Sequence, residues 1–84
     1  MKAIDMENLD KVIEILEGIK PGVDFRKEED LFEKHLLASL EIMMLVSELN
    51  SAFDITITLP YIKPENFRSA KAICAMVEQV QDED

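Results

Sequence analysis

Few side chains in this chain could do chemistry, and His35, Ser39 and Cys74 are the ones that frame the question. His35 stands four residues before Ser39, but a serine nucleophile needs a base that a third group orients. No such group is evident in the sequence, so His35 reads as a solvated loop residue. Cys74, between Ile73 and Val77, fits a small packed hydrophobe better than a reactive thiol. One cysteine excludes an internal disulfide and a multi-cysteine zinc site, and no metal is expected. Ser39 carries two readings. It can cap a helix, its oxygen accepting from one of the first free N–H groups. It can also carry a phosphate ester, because a helix N-terminus holds about half a positive charge and free donors that stabilise an anion.

The elements that would position these residues must come from one domain, since the chain has 84 residues and single cores organise about 50–200. A chain this short cannot build a deep, many-walled catalytic cavity, which argues against an enzyme. Eighteen Asp and Glu against nine Lys and Arg give a formal charge of -9. That balance disfavours nucleic acid, whose phosphates need clustered cations, and favours basic proteins as partners. The chain is 48% hydrophobic, too apolar for a disordered acidic tail. There is no signal-peptide run at the N-terminus and no stretch of about 20 apolar residues. A soluble, cytoplasmic monomer is expected, and a lone cysteine suits a reducing compartment.

Apolar spacing then sets out the helices. Met6, Leu9, Val12, Ile13 and Leu16 follow three-and-four spacing behind Asp5 as a cap, with Gly18 as the left-handed residue that ends the helix and Pro21 beyond it. Residues 21–38 form a long connection whose apolar anchors are Val23, Phe25, Leu31, Phe32, Leu36 and Leu37, with Phe25 and Leu31 as its pins. A second helix is expected from about Ser39 to Phe53, its core stripe made by Ile42, Leu45, Val46, Leu49 and Phe53. Ile55, Ile57 and Leu59 alternate like a strand but have no second strand to pair with, so the segment reads as loop. Pro64 suits the first position of a short helical turn. A last helix is expected with Ser69 as its cap and Ile73, Val77 and Val80 as its seam, and residues 81–84 read as a frayed acidic tail.

On the second helix Leu40 and Met44 fall about 160° and 200° from Ile42, pointing away from the core. Met43, Ser47, Ser51 and Glu48 lie near them, and Glu41 follows Leu40. Scattered apolar residues are ordinary on a surface. The alternative is a patch for partner proteins, because methionine adapts to varied surfaces and Glu41, Glu48 and Asp54 could steer basic ones.

Taken together, "LLASLEIMMLVSELNSAFDITI" and "PENFRSAKAICAMVEQV" resemble the acyl carrier protein family over nearly the whole chain. In that family an Asp-Ser-Leu motif opens the second helix of a four-helix bundle, and the serine receives a phosphopantetheine arm. The resemblance implies an all-α bundle with a long first loop and a short third helix, and Ser39 as the attachment point. It implies as partners a phosphopantetheinyl transferase and enzymes that load and process acyl or aminoacyl groups, including those of fatty acid synthesis, docking on Leu40, Glu41, Met43, Met44, Ser47 and Glu48. Residues 45–50, with "ENFRS" later, look more like the small discrete carriers, including the D-alanyl carrier type, than like modular synthase domains. Two positions depart from the pattern: Ala38 replaces the acid before the serine, and the upstream glycine is absent, with His35 near its place. Loss of the acid weakens the interaction with the helix dipole by about 0.3–1 kcal/mol and removes a contact for the transferase. A rival reading keeps the fold without the modification, as an adaptor that binds a partner through Leu40, Met43 and Met44.

Overall fold

The computed structural model describes residues 6–27, 31 and 39–83. Among these are three α-helices and two 3-10 turns: α1 (Met6–Ile19), α2 (Ser39–Phe53), the turns Leu59–Tyr61 and Pro64–Asn66, and α3 (Ala70–Glu83). No strand occurs among the described residues, and the alternating segment at 55–59 is loop, as expected. Helix α1 packs against both α2 and α3. One hydrophobic core joins them, built from Leu9, Val12, Ile13 and Leu16 of α1, Ile42, Leu45, Val46 and Leu49 of α2, and Ile73, Cys74, Met76, Val77 and Val80 of α3. These are the residues that three-and-four spacing puts on one face of each helix, with Phe53 half-buried at the end of the stripe on α2.

Helix α1 departs from its expected course at both ends. Met6 lies on the seam by spacing yet is exposed, at the helix's first turn. Gly18 does not end the helix: α1 continues through Ile19, which packs half-buried against the core. The left-handed residue is Gly22, with φ +93°. The added residue places Ile19 against the core, where its partial burial favours the longer helix.

In the connection that follows, Phe25 and Leu31 are both buried and act as the pins. Leu31 N–H donates to the Arg68 carbonyl at 2.8 Å, so the pin is bonded to the segment before α3. Phe32, His35, Leu36, Leu37 and Ala38 lie outside the described residues. Arg26 donates to Asp10 at 2.6 Å on the exposed side of α1. Donating to Asp10, and then the charge of that carboxylate, raise the Arg26 pKa above its ordinary value, and so exposed a pair adds little to stability.

Helix α2 stops through a device of its own. Asp54 takes the left-handed conformation at φ +52°, and Ile55 N–H reaches back to the Asn50 carbonyl at 3.1 Å, the six-to-one bond of a Schellman end. The Asn50 side chain then accepts from Ile57 N–H at 2.9 Å. With Asn50 holding the segment twice, Ile55 and Ile57 turn into the core.

Where the resemblance implies a third helix, the chain makes one 3-10 turn at Pro64–Asn66, opened by Pro64 as expected and closed by Phe67 N–H on the Pro64 carbonyl at 3.1 Å. Phe67 is fully buried and Ser69 already caps the next helix, so no room remains for a longer one. Ser69 Oγ accepts from Ala72 N–H at 3.1 Å, bearing out its capping role. Residues 81–83 are helical rather than frayed. The Tyr61 hydroxyl donates to the Glu83 carboxylate and ties that end of α3 to the first 3-10 turn.

Candidate functional site

Helix α2 starts at Ser39, the position that apolar spacing had indicated. Its first backbone N–H groups have no carbonyl partner within the helix, and the summed peptide dipoles of a 15-residue helix leave partial positive charge at this end. The start of α2 is therefore an end at which an anion would be stabilised, whereas the other end of the helix would repel one.

Around this start the structure sorts the candidate residues. Leu40 is 74% exposed, Met43 58% and Met44 49%, values that decide against a core role for all three. Ser47, Glu48 and Ser51 are exposed with them. Glu41 is different. It is half-buried and pairs with Lys20, Nζ to Oε1 at 3.5 Å, so it bridges to the residue after α1. That bridge partly offsets the charge that Glu41 brings to the first turn of α2. Asp54, at the opposite end, lies about 20 Å away along a helix that rises 1.5 Å per residue, and there it ends the helix.

The sequence reading missed a groove of about 400 Å³ between α1 and α2, lined by Glu14, Ile15, Gly18, Ile19, Met44 and Glu48. The helical wheel showed Met44 pointing outward, but pairing it with α1 requires the packing of two helices. Cys74 is buried in the core. No cluster of three His, Cys, Asp or Glu side chains that could hold a metal occurs among the described residues. Among these residues no helix is long and apolar enough to cross a membrane.

No family model matches the chain. Over 76 residues it is 33% identical to the D-alanyl carrier protein of Lactococcus lactis subsp. lactis (strain IL1403), an alignment that covers 88% of this chain and 96% of the relative. It is 34% identical over 76 residues to the D-alanyl carrier proteins of Lactococcus lactis subsp. cremoris strains MG1363 and SK11, with the same coverage. Likeness at this level along nearly the full length of both partners, in a chain whose described elements are all helical, shows that the chain belongs to the D-alanyl carrier protein family.

Proposed function

We propose that this chain is a discrete aminoacyl carrier, modified on Ser39 with phosphopantetheine, and that its cargo is D-alanine. The observation that carries the reading is that Ser39 is the first residue of α2, followed at once by the exposed Leu40. The names of its relatives favour an aminoacyl cargo over the fatty acyl one that the broader resemblance left open. When attached, the arm supplies a thiol that holds the cargo as a thioester. The chain's own part is to bind and orient: the start of α2 holds the phosphate, and Leu40, Met43, Met44, Ser47 and Glu48 present a surface to the transferase and the loading enzyme, with Glu41 at its edge. The base that activates Ser39 comes from the transferase, so the chain needs no triad. It works as a cytoplasmic monomer.

The test is incubation of the protein with a promiscuous phosphopantetheinyl transferase and coenzyme A, followed by intact mass measurement. A gain of one phosphopantetheine group that Ser39→Ala abolishes is expected; no gain, or a gain that persists in Ser39→Ala, overturns the reading. Ala38→Asp should modify faster, because it supplies the acid that the family resemblance implies the transferase contacts.

The absent acid before Ser39, beside a strongly exposed Leu40, favours one alternative, an unmodified adaptor. In that case Leu40→Asp and Met44→Asp abolish partner binding, whereas Ser39→Ala leaves cellular activity unchanged.

A further inference from the structure

Gly18 lacks a reason inside the fold. It sits within α1, one residue before the helix ends, where glycine is less favourable than alanine by up to about 1 kcal/mol. The left-handed turn that would call for a glycine is made at Gly22. A Cβ built on Gly18 meets nothing within 4 Å, so no close approach inside the chain calls for one either. The missing side chain instead leaves open the groove between α1 and α2.

The lining of that groove describes what would fill it. Ile15 and Ile19 are half-buried and Met44 half-exposed, giving an apolar floor shared by both helices. Glu14 on α1 and Glu48 on α2 stand exposed in the same lining. Neither carboxylate has a hydrogen-bond or ion-pair partner among the described residues. A volume of about 400 Å³ lies at the small end of the range for ligand sites and exceeds what one side chain occupies. An apolar floor between exposed carboxylates, on a chain of charge -9, complements a basic segment carrying an apolar anchor.

We propose that the α1–α2 groove is a docking site for a partner protein, and that it receives one apolar side chain of that partner flanked by lysine or arginine. Gly18 is the residue that keeps the groove open. The proposal does not depend on modification of Ser39, and its test uses the unmodified chain.

The probe is the peptide acetyl-Lys-Lys-Leu-Lys-Lys-amide, titrated into the full-length protein and followed by amide chemical shifts. Saturating shifts are expected at Ile15, Gly18, Ile19, Met44 and the flanking glutamates. The same peptide with glycine in place of leucine should bind about tenfold more weakly, the weight of one apolar side chain removed from water. Gly18→Leu should abolish the shifts while holding or raising the thermal midpoint. Glu14→Gln combined with Glu48→Gln should weaken binding and flatten its salt dependence. Equal binding of the two peptides, or shifts scattered over the other acidic surfaces, overturns the proposal, as does unchanged binding by Gly18→Leu. Should Gly18→Leu fail to fold, the peptide pair and the double glutamine variant decide. Failure here leaves the mass gain at Ser39 untouched, so the two readings fail separately.

Discussion

Asp54 is a non-glycine residue held at φ +52°, where an L-amino acid is disfavoured by about 1–2 kcal/mol and aspartate by less. Its position is nevertheless over-determined by the Asn50 bonds and by the burial of Ile55 and Ile57. Asp54→Gly is therefore expected to stabilise the fold by a few tenths to about 1 kcal/mol, and Asp54→Val to destabilise it by about 1–2 kcal/mol. Urea midpoints measure both, and a midpoint that falls for Asp54→Gly contradicts the account. Little of this was legible in the residues themselves. An aspartate after a helix is ambiguous, since by sequence alone it is equally a charge able to steer partners. Gly18 was expected to end α1, but the helix runs on through Ile19, which packs half-buried against the core, and the left-handed residue is Gly22 beyond it. By contrast, the outward direction of Leu40, Met43 and Met44 was legible, because it follows from helical geometry alone once Ile42, Leu45 and Leu49 are assigned to the core.

At the scale of elements, each helix that carries a strong period was found from that period, and the start of α3 from its cap. Ser69 Oγ satisfies the Ala72 N–H, so Ser69→Ala should destabilise the protein by about 1 kcal/mol, whereas Ser69→Asp should retain most of the cap. Equilibrium unfolding in urea distinguishes them, and an unchanged midpoint for Ser69→Ala would show that the cap contributes nothing. The expected third helix was less legible. A proline-led start at Pro64 is visible in sequence, but its length is set by the distance over which Phe67 must reach the core and Ser69 must begin α3. Residues 81–83 were misread for a related reason: acidic composition suggests fraying, and the tie from Tyr61 to Glu83 joins positions that no local pattern connects.

The whole molecule carries twice as many acids as bases, and self-repulsion of that kind opposes the compact state. Ion pairs such as Lys20–Glu41 and Lys63–Glu65 offset only part of it. Raising ionic strength from about 0.01 to 0.15 M shortens the screening length from about 30 to about 8 Å, so the thermal midpoint should rise with salt over that range. A fall would mean that the surface pairs outweigh the excess charge. Net charge is wholly legible in the sequence, but its arrangement over the surface is not. The apolar groove between Glu14 and Glu48 exists only because two helices far apart in the chain lie side by side.

The hydrogen bond from Leu31 to Arg68 has one more consequence, which concerns reach. Helix α2 lies wholly between these two residues, so the chain that carries it forms a ring pinched at its neck. A group attached within that ring is held by chain on both sides rather than at a free end. On the proposed reading, in which Ser39 bears the arm, travel between one enzyme and the next comes from the length of that arm, with the protein serving as its pivot.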